Sequence, residues 1–255
     1  MQMNRLGTGL LILLAVGVGG GSLMAFAYFL IAGAPLPIRL AQSDGARLAL
    51  DAVLCLVFFL QHSGMVRRGA KQWITQWVDA IYLPAVYAIA SGLALLVLVL
   101  LWQPTGDVLY CLYGPARWLL AGLAGAAIAG LAWGVYSLPG FDPLGTRPLI
   151  SELRRASPPP SEFAVRGPYR FVRHPLYLFA LVLIWAAPCP STDRFLFNVL
   201  WTIWIIVGTR LEERDLVRDF GQTYREYQQA VPMLVPTPRF LWRRKQPGPS
   251  GRENR

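Results

Sequence analysis

Charge is scarce in this chain, and it is missing in blocks. Only 15% of the 255 residues are Asp, Glu, Lys or Arg, against about 25% in soluble globular proteins. Residues 6–38, 80–106 and 118–141 contain none. Histidine is nearly absent too, with His62 and His174 alone, which leaves too few ligands for a zinc centre built from side chains, so no metal is expected. The cysteines, Cys55, Cys111 and Cys189, form no CxxC pair, and the sequence assigns them no role. There is no P-loop and no GxGxxG fingerprint, so a nucleotide-like cofactor would be held by something other than a Rossmann sheet.

What is abundant is apolar surface, with 55% hydrophobic residues and a mean hydropathy of +0.42. A helix crosses a bilayer with about 20 apolar residues. Each uncharged block is long enough, and Leu48 to Val66, with Asp51 near one end, is a fourth span. Two later segments, Leu176 to Ala187 and Phe195 to Thr209, are shorter, roughly 18 and 22 Å as helices. Joined by the turn-forming Pro188-Cys189-Pro190-Ser191-Thr192-Asp193, they read as a short helical hairpin. The expected fold is all-α, a polytopic transmembrane helix bundle of about six membrane segments. Arg5, an apolar run and Ala32-Gly33-Ala34 imitate a signal peptide. The run is too long for a signal core and reads as a retained first span.

The net charge of +10 is placed as well as large. Arg67, Arg68 and Lys71 fall in one loop; Arg147, Arg154, Arg155, Arg166, Arg170 and Arg173 fall in another; ten Lys or Arg lie from Arg210 onward. The intervening loops near Arg39 and Asp107 are poor in positive charge. The positive-inside rule makes the three basic regions cytoplasmic, with both termini inside and a bacterial inner membrane as the expected location. No nucleic-acid motif accompanies the charge, so nucleic acid is not an expected partner; membrane lipids are. The oligomeric state is left open.

Along the chain, residues 1–139 read as transmembrane helices 1–4, residues 140–240 as a catalytic region and residues 241–255 as a basic disordered tail. Ser157-Pro158-Pro159-Pro160-Ser161 is a stiff linker. Leu216, Phe220, Tyr224, Tyr227 and Val231 recur at spacings of four, four, three and four, one face of an amphipathic C-terminal helix. Gly221 bends or breaks it, and Pro232 stops it.

Two polar clusters flank the hairpin. Arg166-Gly167-Pro168-Tyr169-Arg170-Phe171-Val172-Arg173-His174-Pro175 leads into it, and Arg210-Leu211-Glu212-Glu213-Arg214-Asp215 follows it. Two antiparallel helices bring both to one membrane face, a site hypothesis in its own right. Arg173-His174-Pro175-x-Tyr177, Glu212-Glu213-x-x-Leu216 and Phe220-Gly221-x-x-Tyr224-x-x-Tyr227-x-x-x-Val231-Pro232 together resemble the C-terminal signature of the isoprenylcysteine carboxyl methyltransferase-like family. Gln61-His62-Ser63-Gly64-Met65 and Phe141-Asp142-Pro143-Leu144-Gly145-Thr146-Arg147 are similar to its methanethiol S-methyltransferase branch.

The resemblance implies an integral-membrane methyltransferase that uses S-adenosylmethionine (SAM). The acceptor would be a small or lipid-soluble molecule, with a thiol such as methanethiol ahead of a prenylcysteine carboxyl group or a phospholipid. A non-catalytic assembly or regulatory protein is the alternative of another class. In the enzyme reading Glu212 or Glu213 pairs with the cofactor ammonium, His174 and Tyr177 hydrogen-bond the cofactor, and Tyr224 and Tyr227 wall its pocket. Arg210 or Arg173 holds an acceptor anion. His62 belongs to the acceptor entrance, and Phe179, at a position the family often keeps small, narrows the acceptor channel. Each has a structural alternative: a hairpin cap for His174, ion pairs with Arg210 and Arg214 for the glutamates, interfacial belt positions for the tyrosines.

Overall fold

The computed structural model describes residues 4–36, 38–138, 140–155 and 163–236. The linker at 157–161 and the basic tail at 241–255 lie outside them. The described residues form helices, with one isolated bridge between Val108 and Ser191.

Helix α1 (Arg5–Leu14) passes through a π-helical turn, Ala15–Gly20, into α2 (Gly21–Ala32). Asn4 caps α1 through Gly7 N at 2.8 Å, satisfying one of the orphan donors of the first turn. Then follow α3 (Asp44–Met65), α4 (Arg68–Ile74), α5 (Leu83–Leu101), α6 (Gly114–Tyr136), α7 (Arg147–Arg154), α8 (Pro175–Trp185) and α9 (Thr192–Ala230). Prolines enter α5, α7 and α8 only in the first turn, where a missing N–H costs nothing.

The protein is an integral membrane protein with an all-α fold. Residues 5–32, α3, α5, α6 and α9 are long and apolar enough to cross a membrane. Helix α8, with 11 residues, is about 16 Å long, roughly half of a bilayer core. Helix α9 runs past the end of the apolar segment at Thr209 into polar sequence. It breaks at Gly221, whose φ of 57° and ψ of −127° lie outside helical space.

The chain divides into two compact units. The first holds α1 to α5, α7 and α9 up to Ile206. There α5 packs on α1, α2 and α3. Gly19 and Gly92 let backbones close: a Cβ on Gly92 would stand 3.1 Å from the Gly19 Cα. Phe26, Phe58, Phe59, Phe197, Trp201 and Trp204 form an aromatic layer. Asp193 accepts from the Trp102 indole at 2.9 Å and from Thr105. A disulfide joins Cys111 to Cys189, beside backbone hydrogen bonds from Leu109 to Pro190 and from Leu112 to Pro188.

The second unit holds α6 from Trp118, α8 and α9 from Val207. Helix α8 sits on glycines of α6: a Cβ at Gly130 would fall 2.5 Å from the Phe179 ring, and one at Gly134 2.6 Å from Leu176. The amphipathic face expected in the tail is buried as a core of Tyr224, Tyr227 and Val231. Phe163, Val165, Leu216, Val217 and Phe220 pack against it.

Candidate active site

The second unit assembles both sequence clusters. After Arg166 the chain makes one 3-10 turn, Gly167–Arg170, and enters α8 at Pro175. Gly167 has φ +52°, and a Cβ there would collide with the Ser137 hydroxyl, so this corner admits only glycine. Arg173 N donates to Pro232 O at 2.9 Å and His174 N to Met233 O at 3.1 Å. The Arg-His-Pro turn therefore lies against the chain that leaves α9.

Side chains complete the link. Arg173 Nε donates to Glu213 Oε1 at 2.6 Å, and its Nη1 to the carbonyls of Gln228 and Val231. The Arg173 and Glu213 side chains are 9% and 12% exposed. His174 Nε2 lies 3.2 Å from the same Glu213 Oε1, and Gln228 Nε2 donates to Oε2 at 3.0 Å. Glu213 thus accepts from three side chains and is enclosed by them. Its neighbour faces elsewhere, because successive residues on a helix point about 100° apart. Glu212 is 44% exposed, accepts from the Tyr177 hydroxyl at 2.9 Å and lies 3.8 Å from His174 Nδ1. Neither Lys nor Arg pairs with Glu212 among the described residues. The His174 and Tyr177 rings stack 5.6 Å apart at 11°.

His174 precedes α8 and Glu213 lies beyond the apolar stretch of α9, so both are in the polar end of this unit. Burial pulls the His174 pKa below its ordinary value; the charges of Glu212 and Glu213 oppose this and Arg173 adds to it. Burial would raise the Glu213 carboxyl, but Arg173, His174 and Gln228 outweigh it and hold it below its ordinary value.

The other sequence-named residues are placed as follows. Tyr224 and Tyr227 are buried in the aromatic core with Phe163, and the Tyr227 hydroxyl donates to Tyr169 O at 2.6 Å. Arg210 is exposed and has no ion pair among the described residues. Phe179 stands over Gly130. His62 belongs to the first unit, where a ring nitrogen lies 3.0 Å from the Tyr87 hydroxyl and the ring stacks on Phe58 at 5.2 Å. Sequence reasoning missed Gln228 and Tyr169. Gln228 follows Tyr224 by four, a polar residue on an apolar face, and that was its only signal. Tyr169 contributes a backbone carbonyl, which no sequence reports.

Known proteins resemble the chain along most of its length. It is 35% identical over 199 residues to "Methanethiol S-methyltransferase" of Pseudomonas deceptionensis, covering 74% of this chain and 73% of that one. A protein of the same name from Mycobacterium tuberculosis is 32% identical over 203 residues, 78% of this chain and 82% of that one. Nurim of Xenopus laevis is 27% identical over 183 residues, 66% of this chain and 62% of its own. No protein-family model matches, and no solved structure is significantly similar.

Proposed function

We propose, for a chain that belongs to the methanethiol S-methyltransferase family and is a membrane methyltransferase, that it moves the methyl group of SAM to a small thiol such as methanethiol. The observation that carries the reading is the opposite aspect of the two glutamates. Glu213 is used up inside the fold. Glu212 is a half-exposed carboxylate with no Lys or Arg partner among the described residues, and the His174 imidazole 3.8 Å away has its pKa pulled below the ordinary value by burial. An uncompensated carboxylate fits a ligand that carries an ammonium and a sulfonium.

When bound, SAM supplies an electrophilic methyl group on a positive sulfur. The chain's part is to bind, orient and exclude water, which suits an in-line displacement that depends on positioning. Glu212 takes the ammonium, and the Tyr177 hydroxyl fixes the carboxylate that does so. Arg173 and Gln228 hold Glu213 and, through it, His174. Tyr224 and Tyr227 support the wall from behind, with their rings in the core. Arg210 is the cation left for an anionic acceptor. His62, engaged by Tyr87, and Phe179 remain proposed acceptor-side residues.

Both termini are proposed to be cytoplasmic, in a bacterial inner membrane. The arginine distribution supports this. So does the Cys111–Cys189 disulfide, because it joins the two loops the rule puts on the opposite, oxidising side.

The test is transfer of tritiated methyl from SAM in membranes, with methanethiol, a prenylcysteine analogue and phospholipid offered in parallel. The reading expects a labelled volatile thioether from methanethiol alone. Label appearing only in the prenyl or lipid product would assign another acceptor, and no label in any arm would remove the enzyme reading of this chain.

A further inference from the structure

We infer that His174 is the general base of the reaction, taking the acceptor thiol's proton on Nδ1, with Glu213 as the residue that positions its ring. The inference rests on the thiol-methyltransferase reading and adds a proton acceptor to it.

The chemistry asks for one. A thiolate is the nucleophile; even the free cysteine thiol, of pKa about 8.5, is only a few per cent ionised at pH 7, and a simple alkanethiol is less acidic still. Protein can make up the difference with a base within reach of the sulfur, itself oriented by a third group.

His174 meets those conditions atom by atom. Glu213 is enclosed by donors: Arg173 Nε at 2.6 Å, Gln228 Nε2 at 3.0 Å and His174 Nε2 at 3.2 Å. An ionised carboxylate only accepts, so the imidazole proton belongs on Nε2. Nδ1 then carries the lone pair. It makes no capping bond to α8, and its nearest polar partner among the described residues is Glu212 Oε2 at 3.8 Å. The parallel Tyr177 ring fixes the plane of the imidazole. The free nitrogen is thus on the Glu212 side, the half-exposed side assigned to the cofactor. Burial, against the opposing charges of Glu212 and Glu213 and with that of Arg173, keeps the ring neutral at neutral pH, as a base must be.

The proton balance closes within the cluster. The S–H bond breaks and its electron pair stays on sulfur, which becomes the thiolate. The proton binds Nδ1, and the resulting imidazolium lies between the carboxylates of Glu213 and Glu212. It returns to neutral by passing the proton to water at the exposed Glu212 edge.

The experiment uses the full chain in detergent, with His174→Gln and two acceptors, methanethiol and thiophenol. Glutamine can still donate to Glu213 but offers no base at the Nδ1 position. With methanethiol the variant should lose about 100-fold or more in kcat. With the acidic aryl thiol, already ionised, it should lose far less. With SAM or S-adenosylhomocysteine held at saturation for each protein, the thiolate ultraviolet band that appears when methanethiol joins the wild type with S-adenosylhomocysteine should vanish. Equal losses on both thiols at saturating SAM, or a thiolate band that persists in the variant, would overturn the inference. If the variant does not fold, the wild type decides: the acid limb of kcat should appear with methanethiol and not with thiophenol, and a shared limb overturns it. A wild type inert toward both thiols would instead defeat the thiol reading beneath it.

Discussion

Arg173 Nε donates to Glu213 Oε1 at 2.6 Å, while the same guanidinium holds the Gln228 and Val231 carbonyls. One buried cation thus ties the turn before α8 to both the middle and the end of α9. Removing one partner of such a pair leaves the other charge buried, at a cost of about 3–5 kcal/mol. Arg173→Ala should therefore lower the detergent unfolding midpoint sharply. Arg173→Lys should recover only part of it, since a point charge cannot serve a carboxylate and two carbonyls at once. A midpoint unchanged in Arg173→Ala would contradict the clamp.

The two glutamates should separate cleanly. Glu212→Gln should leave the unfolding midpoint close to wild type and weaken SAM binding by about 10-fold to 100-fold, the worth of a hydrogen bond to a charged group. Glu213→Gln should do the reverse in stability, because it leaves Arg173 without its carboxylate. Calorimetry and thermal unfolding on both proteins check this. Equal behaviour of the two variants is the outcome that refutes it.

Phe179 and Gly130 should behave as one unit. A methyl group at Gly130 would sit 2.5 Å from the ring, so Gly130→Ala must move the ring or the helix. Phe179→Ala should cost about 3–5 kcal/mol if the ring is core. In that background Gly130→Ala should cost almost nothing, a coupling a double-mutant cycle measures. Additive losses would mean the ring does not rest on Gly130 in the working protein.

Stability should fall in acid in two stages. The His174 pKa is below its ordinary value of 6.5 in the fold. The unfolded chain therefore binds that proton first, and stability present above about pH 6.5 drains as pH falls toward the folded value. Glu213 is likewise depressed, from 4.5. Its contribution is intact above that pH and is lost as pH falls through the folded pKa. Unfolding midpoints taken across pH should show both stages, and His174→Gln should shrink the first while the second remains.

Much of this was legible in the sequence because a bilayer is a strict solvent. Uncharged blocks of 20 or more residues have few alternatives, and the spans at 5–32, α5 and α6 follow them. The Leu216, Phe220, Tyr224, Tyr227, Val231 spacing marked the buried face of the tail helix, and Gly221 marked its break. Other features needed three dimensions. Glu212 and Glu213 are adjacent and alike, and only the position of Arg173 and Gln228 decides which is enclosed. Cys111 and Cys189 are 78 residues apart. Their shared position on the side away from the arginines was the sole hint that they pair. Two of the three Arg173 side-chain hydrogen bonds are to backbone carbonyls, which carry no residue identity.

The Cys111–Cys189 bond closes the chain into a covalent ring that contains α6, α7 and α8. A protease that cuts once inside that ring, for instance after Arg154 or Arg166, does not release a fragment. The nicked protein keeps its full mass on a gel without reductant and falls into two pieces when the bond is reduced. A scission outside the ring gives two pieces under either condition. Limited trypsinolysis read on a two-dimensional gel, unreduced then reduced, would therefore map each arginine that is cut as inside or outside the loop.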